Sequence, residues 1–238
     1  MTRLRVCLLC NTLGGSDVPC DVARYLPPDR FDVQIADRFP ENPQEFVMIV
    51  PWNYCQVIVE AETAGNVVVF HASDLPDGRG WAPIYHAFAD SKCDYVLCGI
   101  LAAHKVDTGD ILIRARLPIQ PGYTAPFLRQ VDSALSLLLI ERLLSRWPDG
   151  RMFGLPQQGM ASYHSRRTPA DSGINPSETI LALMPHLRGV EPTHPAFFDY
   201  EGVRYCIEIA PMLPPALPAK VTIEYPALGV CEEWTGWA

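Results

Sequence analysis

The sequence predicts an α/β protein built on an open, mostly parallel β-sheet. Short apolar runs, such as residues 5–10 and 67–72, are separated by segments that can form short helices. This alternation is typical of parallel strands covered on both faces, as in Rossmann-like folds. Hydrophobic residues make up 48% of the 238 residues and charged residues 19%, which allows a sizeable core. We expect a core at residues 1–147 and a small α+β extension at residues 148–238 packed on it.

The first half of the chain supplies most of the predicted strands. Residues 5–10 form the first strand, in which Cys7 and Cys10 point to opposite faces and so do not form one half of a zinc site. A loop at residues 11–16 and a short helix at residues 17–26 follow. Further strands are predicted at residues 31–36, 46–50, 67–72, 94–102 and 111–119.

The longest helix is predicted at residues 124–147, because its apolar side chains recur at close to helical spacing. Such a helix packs either on the sheet or against a second subunit, so a homodimer is one expectation. The apolar positions are Leu128, Val131, Leu135, Leu138, Leu139 and Leu143.

The C-terminal part begins with an irregular stretch at residues 148–176, which is rich in Pro, Gly and Ser. Asn175-Pro-Ser-Glu178 then predicts a helix that is capped by Asn175 and ends near Arg188. The last predicted elements are a hairpin at residues 196–200 and 203–209 and a strand at residues 221–225.

Composition narrows the class of partner. The formal net charge is −8 and the sequence contains no Lys/Arg-rich run, so nucleic acid is not an expected partner. The apolar stretches fall short of the roughly 20 residues that span a bilayer. The eight cysteines are expected to be reduced and mostly buried, as in a cytoplasmic protein. The first ten residues fit a β-strand better than a signal peptide, because no small-x-small cleavage site follows.

His71 and Asp107 are the candidate catalytic residues. An apolar run delivers His71 to a strand end, and Asp107 begins a turn between two later strands. The two lie 36 residues apart, so they can meet only through the fold. A carboxylate beside an imidazole fixes its tautomer and stabilises its protonated form, which suits acyl transfer to an amine. The alternatives are a structural histidine and an ordinary turn aspartate before Gly109.

Three loops qualify as ligand sites, since open α/β sheets bind ligands beyond the carboxyl ends of their strands. They are residues 11–16, 51–54 and 72–80. In the first, Gly14-Gly15-Ser16 offers backbone N–H groups to a phosphate, but it lacks the G-x-G-x-x-G spacing, and an ordinary turn is the alternative. We identify no ligand cluster with metal spacing in the sequence and expect no metal.

Two motifs resemble the formyltransferase family that uses 10-formyltetrahydrofolate. They are His71-Ala-Ser-Asp-Leu-Pro76 and Val106-Asp-Thr-Gly-Asp-Ile-Leu112, and their combination at this separation is specific. Arg166-Arg-Thr-Pro-Ala-Asp-Ser172 and Pro195-Ala-Phe-Phe-Asp-Tyr-Glu-Gly202 are similar to the C-terminal parts of small sugar N-formyltransferases. The resemblance covers roughly residues 46–209 and implies the formyltransferase fold.

The resemblance implies that His71 and Asp107 match two catalytic residues of the family. The third is an asparagine two positions before the histidine, where this chain has Val69. That amide would donate to the developing oxyanion, and losing one such donor typically costs about 2.7–4 kcal/mol. Asn53 is a candidate substitute, with a turn role as its alternative.

The resemblance further implies 10-formyltetrahydrofolate as the formyl donor. The loop at residues 51–54 and the Leu75–Pro76 turn would line the pterin slot. The donor-binding candidates are Trp52, Asn53, Tyr54, Leu75, Pro76 and Asp107. The substrate-binding candidates are Arg79, Gly80, Arg166 and Arg167. The alternative for Arg79 is a structural role, in which its side chain donates hydrogen bonds to loop carbonyls. The alternatives for Arg166 and Arg167 are a solvated basic loop and an ion pair with Asp171.

The resemblance implies that the amine belongs to an amino sugar. Methionyl-tRNA formyltransferases carry an additional basic RNA-binding domain, whereas this chain is acidic. A nucleotide-linked amino sugar is therefore the expected substrate. Another small-metabolite amine, or a degenerate folate- or sugar-binding module without catalysis, remains the alternative.

Overall fold

The computed structural model describes residues 3–11, 22–54, 56 and 58–237. The Gly14-Gly15-Ser16 segment and the first residues of the helix predicted at 17–26 lie outside the described residues. The strands are β1 (Leu4–Leu9), β2 (Phe31–Ala36), β3 (Met48–Pro51), β4 (Val68–His71), β5 (Arg79–Gly80), β6 (Asp94–Leu101), β7 (Ile111–Pro118), β8 (Tyr163–His164), β9 (Ala196–Tyr200), β10 (Val203–Ile207), β11 (Val221–Tyr225) and β12 (Val230–Trp234). The helices are α1 (Val22–Tyr25), α2 (Ala61–Ala64), α3 (Pro83–Ala89), α4 (Ala125–Arg146) and α5 (Ile180–Gly189).

The main sheet is parallel in one half and antiparallel in the other. Strands β2, β1 and β3 pair in parallel, and a parallel bridge between Ile49 and Val67 brings β3 alongside β4. From β4 onward the order is β4-β6-β7-β11-β12, and every pairing is antiparallel. The predicted open α/β sheet is thus confirmed, but its mostly parallel character holds only for the N-terminal half. Strands buried on both faces read as apolar runs in either direction, so the sequence pattern does not reveal this reversal.

Helix α4 packs on the sheet of its own chain. Its buried residues share a core cluster with residues of β1, β6 and β7. The apolar spacing that predicted this helix is therefore satisfied without a second subunit. The buried positions include Leu128, Val131, Leu135, Leu138, Leu139 and Leu143.

The helix predicted from Asn175 begins later than expected. Helix α5 starts at Ile180, and its cap is Thr179, whose Oγ1 accepts a hydrogen bond from the backbone N–H of Ala182 at 3.2 Å. Asn175 instead closes a local turn by accepting from the backbone N–H of Ser177 at 3.1 Å. Asparagine and threonine both cap helices. Thr179 is the cap here because it stands directly before Ile180, the first helical residue.

The C-terminal residues complete the main sheet. Strand β11 pairs with β7, and β12, which the sequence pattern did not predict, pairs with β11. The predicted hairpin is confirmed as β9 and β10 around Glu201 and Gly202. The division of the chain at residue 147 stays a prediction.

None of the helices in the described part of the chain combines the length and apolar character needed to cross a membrane.

Candidate active site

His71 is the last residue of β4, and strand alternation decides which way it faces. Val68 and Phe70 contact the main core cluster on one face. Val69 packs on the other face against a smaller cluster that contains Leu75. Since side chains alternate along a strand, His71 shares the face of Val69. An asparagine at position 69 would therefore stand on the same side of the strand as the imidazole.

The fold brings His71 and Asp107 together. The Nδ1 atom of His71 lies 3.5 Å from Oδ1 of Asp107, and the two residues are only 7% and 9% exposed. Asp107 adopts a left-handed backbone conformation with φ 57°, which is uncommon outside glycine. The surrounding turn must hold this conformation in place, and the result is a buried carboxylate aimed at a buried imidazole.

The second ring nitrogen of His71 is also engaged. Its Nε2 atom lies 2.9 Å from the carbonyl oxygen of Gly78. Both nitrogens thus face acceptors, the carboxylate on one side and a carbonyl on the other. A neutral imidazole carries one N–H and satisfies one of them, whereas an imidazolium donates to both. The plane of the His71 ring is therefore fixed between two hydrogen-bond acceptors, the Asp107 carboxylate and the Gly78 carbonyl.

Asp107 is held by groups from two distant segments. The backbone N–H of Gly80 donates to Oδ2 of Asp107 at 2.9 Å. The Nε2 of Gln157 donates to the backbone carbonyls of both Asp107 and Gly109, each at 2.9 Å. Gln157 was not predicted, because it lies in the irregular stretch after residue 147 and belongs to no motif or periodic pattern.

Gly109 lets the Asp107 turn lie directly against the sheet. A Cβ atom at this position would stand 1.6 Å from the carbonyl oxygen of Leu101. No side chain fits there without moving the backbone. The glycine of the Asp-x-Gly-Asp motif thus has a packing role, since it lets the turn that carries Asp107 press against the end of β6.

The loop after His71 is anchored to β7 by charge. The carboxylate of Asp74 lies 3.2 Å from Nε of Arg114 and 2.6 Å from a terminal nitrogen of Arg116. Arg114 also donates to the backbone carbonyl of Leu75 at 3.2 Å. These contacts hold the Leu75–Pro76 turn, whose peptide bond is cis, against the sheet. Both residues of that turn are buried.

A further ion pair fixes the far end of the same loop. Asp77 accepts a hydrogen bond from Lys92 at 2.8 Å, and this bond, with another from Ser162, lowers the pKa of Asp77. Both members of the pair are nearly half exposed, so the pair contributes little to overall stability. Its effect is local, because it ties the loop to the residues that follow α3.

The loop predicted to line the pterin slot divides into buried and exposed residues. Trp52 is only 5% exposed and packs in the main core. Asn53 is exposed, has φ 49°, and accepts a hydrogen bond from the Asn11 amide on its backbone carbonyl at 2.7 Å. The partly buried Tyr54 donates from its hydroxyl to the Asp37 carbonyl at 3.4 Å. Of the two aromatic rings, Tyr54 is thus the more accessible.

The four substrate-binding candidates all make contacts within the chain. Arg79 donates to the side-chain oxygen of Gln157 at 2.7 Å, and Gly80 donates to Asp107. The guanidinium of Arg166 lies 4.8 Å from the centre of the Trp81 ring. Arg167 stacks 3.3 Å from the Tyr85 ring centre and donates to the backbone carbonyl of Asp171 at 2.8 Å. Arg79 and Gly80 therefore support the Asp107 carboxylate and its turn, and Arg167 closes on the backbone of Asp171. Arg166 is exposed.

Two histidines that the sequence left unassigned meet in the structure. His86 of α3 and His164 of β8 stack with their ring centres 3.5 Å apart, and both face Asp90. Burial lowers the pKa of His86, and the neighbouring His164 adds to the effect. The spacing of His86 and Asp90, one helical turn apart, is visible in the sequence, whereas nothing in the sequence connects either with His164.

Sequence comparison relates the chain to known enzymes. No protein-family model matches it. It is 32% identical over 133 residues to a methionyl-tRNA formyltransferase from Heliobacterium modesticaldum, a match that covers 56% of this chain and 42% of the relative. The chain spans about half the length of the curated relatives it matches.

Solved structures share the fold. A methionyl-tRNA formyltransferase from Clostridium thermocellum superposes with a TM-score of 0.70 at 21% identity and covers 98% of this chain and 100% of its own. A sugar N-formyltransferase from Shewanella gives 0.66 at 13% identity, covering 88% of this chain and 98% of its own. HypX from Aquifex aeolicus, in complex with tetrahydrofolic acid, gives 0.69 at 12% identity, covering 87% of this chain and 37% of its own.

Proposed function

We propose that this chain is a formyltransferase, as the proteins to which its sequence and fold are similar are named, and that it transfers a formyl group from 10-formyltetrahydrofolate to an amine. The observation that carries the proposal is the buried His71–Asp107 contact at 3.5 Å, held by Gly78, Gly80 and Gln157. A solved relative in complex with tetrahydrofolic acid supports a folate donor.

The reaction is a direct acyl transfer. The neutral amine attacks the formyl carbon and a carbon–nitrogen bond forms. The carbonyl oxygen becomes an oxyanion in the tetrahedral intermediate. The bond to N10 of the donor then breaks, and the proton lost by the amine ends on that nitrogen. His71 either donates to the oxyanion or carries this proton, and Asp107 orients the ring through Nδ1.

The Nε2 atom of His71 is the one available for this chemistry, because Nδ1 faces Asp107. Since Nε2 bonds the Gly78 carbonyl in this structure, the substrate must replace that contact during catalysis. The donor is proposed to lie along Tyr54, the exposed Asn53 and the Leu75–Pro76 turn, with the buried Trp52 beneath. The amine substrate approaches past Arg79 and Gly80, with Arg166 and Arg167 reaching its far end.

For the amine we propose a nucleotide-linked amino sugar. A sugar N-formyltransferase shares the fold, and the net charge of −8 with no Lys/Arg-rich run disfavours extended contact with an RNA backbone. Methionyl-tRNA is the second candidate, because the sequence relatives are named for it.

The test is to incubate the protein with 10-formyltetrahydrofolate and either a panel of nucleotide-linked amino sugars or charged initiator tRNA, and to follow the release of tetrahydrofolate. We expect turnover with an amino sugar. His71→Ala and Asp107→Asn should each lower kcat by about 10²–10⁴-fold. His194→Gln, at an exposed histidine outside the site, is the matched control. Full turnover in either site variant would disprove the mechanism.

Val69→Asn adds a second arm to this experiment, because it restores the amide that the resemblance leads one to expect on the face of His71. If the missing donor limits the reaction, this variant gains kcat. Folate binding without turnover towards any amine, in both the wild type and Val69→Asn, would instead support a binding module that lacks catalysis.

A further inference from the structure

Three possible metal ligands meet on the side of the His71 loop that faces α3. Asp90 directly follows α3 and lies one helical turn after His86, so the two side chains share a face of the helix. His164 comes from β8. The Nδ1 of His86 and the Nε2 of His164 lie 3.8 Å and 3.7 Å from the two oxygens of Asp90. One ligating atom from each residue can be chosen so that all three lie within 4.8 Å of one another.

The cluster opens into a cavity of about 210 Å³ that is lined partly by the His71 loop. Two buried polar atoms of residues at this cavity, Nδ1 of His86 and Oγ of Ser73, have no hydrogen-bond partner among the described residues. Buried polar atoms are normally satisfied, so such atoms require an explanation. A ligand that accepts an electron pair from the imidazole provides one for His86.

The charges around the cavity also favour a cation. Lys92 is paired with Asp77, and Arg116 with Asp74 and Asp94. In the described part of the chain, the ion-pair contacts of Asp90 within 4.0 Å are to the two histidines alone. The carboxylate thus remains available for a cation. Arg167, whose charge also reaches His86, acts in the opposite direction.

We propose that His86, Asp90 and His164 form a binding site for a divalent transition metal of the zinc class. Two imidazoles and one carboxylate are a ligand set that zinc accepts, and the fourth position would face the cavity. Nothing in the proposed formyl transfer requires this metal, so the site is separate from that function.

The site must contract when the metal binds. Zinc–ligand bonds of 2.0–2.2 Å place neighbouring ligand atoms about 3.3 Å apart, which is less than the present spacing of up to 4.8 Å. The two rings are also stacked within 10° of parallel, so one of them must turn. His164 is the one free to do so, because it lies on a two-residue strand within an otherwise irregular segment.

Metal binding would affect the position of Asp107 through the pairing of β5 with β8. Gly80 is the register partner of His164, and its N–H holds the Asp107 carboxylate. A metal that draws His164 towards α3 therefore braces the strand pair on which Asp107 depends. The proposed role is structural.

The test is a titration of the chelator-treated 238-residue protein with Zn²⁺ in competition with a chromophoric chelator. We expect one equivalent to bind to the wild type, and His86→Gln and His164→Gln to weaken binding by at least about 100-fold. His194→Gln should bind as the wild type does. Melting curves recorded without metal show whether each variant is folded. Binding that is absent from the wild type, or unchanged in both folded site variants, overturns the proposal.

Cys93 is the main competing ligand, because it is exposed and lines the same cavity. Cys93→Ser should keep the affinity of the wild type, and the Co²⁺ form should show no sulfur-to-metal charge-transfer band. Anomalous diffraction from a wild-type crystal soaked in Zn²⁺ should place the ion between His86 and His164. An ion found on Cys93 would contradict the assignment. None of these readouts depends on turnover, so they fail or succeed independently of the proposed function.

Discussion

The two sides of the loop after His71 differ in how their polar groups are satisfied. On the side of Asp107, the imidazole, the carboxylate and the turn carbonyls each have a hydrogen-bond or ion-pair partner. On the side of α3, the buried Oγ of Ser73 has no hydrogen-bond partner in the described residues, and Nδ1 of His86 has no hydrogen bond and only a longer ion-pair contact with Asp90 at 3.8 Å. The first side is complete as folded and holds a reactive pair in place. The second is incomplete, and this is the property expected of a site that awaits a ligand.

The largest effect is expected from Gly109→Ala, which disturbs the side of the loop that contains Asp107. The added Cβ would collide with the Leu101 carbonyl, so the turn that carries Asp107 must move away from β6. We expect the free energy of unfolding to fall by about 3 kcal/mol, measured by urea denaturation. Gly122→Ala is the matched control, because its Cβ would meet only an ordinary contact 3.7 Å away. Equal stability of the two variants would show that the turn is not tightly packed.

A smaller change is Gln157→Ala, which removes the donor to the carbonyls of Asp107 and Gly109. We expect kcat to fall about tenfold with little change in KM, because two partly buried carbonyls lose a partner and the carboxylate is less well positioned. Gln157→Glu retains an acceptor for Arg79 but cannot donate to the carbonyls, and it should fail similarly. The adjacent exposed Gln158→Ala is the control. A KM effect alone would assign Gln157 to substrate binding.

The smallest expected effect concerns Asp132 of α4, which lies near enough to His71 for the charge of the ring to act on it. Burial raises the pKa of Asp132, which accepts a hydrogen bond from the Tyr95 hydroxyl. The folded state therefore binds this proton more tightly than the unfolded chain does. The contribution of Asp132 to stability is present below the unfolded pKa of about 3.8 and is lost as the pH rises through the folded value.

Asp132→Asn retains an acceptor for Tyr95 and removes the titration. Urea denaturation at a series of pH values should show that the difference in stability between variant and wild type grows in favour of the variant as the pH rises above 4. A constant difference across that range would mean that Asp132 titrates normally. In that case burial would not raise the pKa of Asp132, the carboxylate near His71.

The sequence predicted the features that rest on local pattern. Each of these features is encoded within a short segment of sequence. They are the apolar run before His71, the turn with Gly109 and the apolar spacing within α4. The pairing of His71 with Asp107 rested on the two motifs and the family resemblance, because the residues lie 36 positions apart. Gln157 and His164 were not predictable, because each acts through partners 48 or more positions away in an irregular stretch. The antiparallel half of the sheet was missed for a related reason, since apolar runs carry no direction.

The short β5–β8 pairing has a consequence for how the chain assembles. It joins segments far apart in sequence, and Gly78 and Ser162 beside it are 84 positions apart. Closing so long a loop carries a large entropic cost, which is repaid only when both segments are present. During synthesis, His71 and Asp107 are thus both made well before the segment that braces them. A ribosome-bound chain that stops short of residue 157 would carry the reactive pair but neither Gln157 nor the β8 strand that pairs with β5.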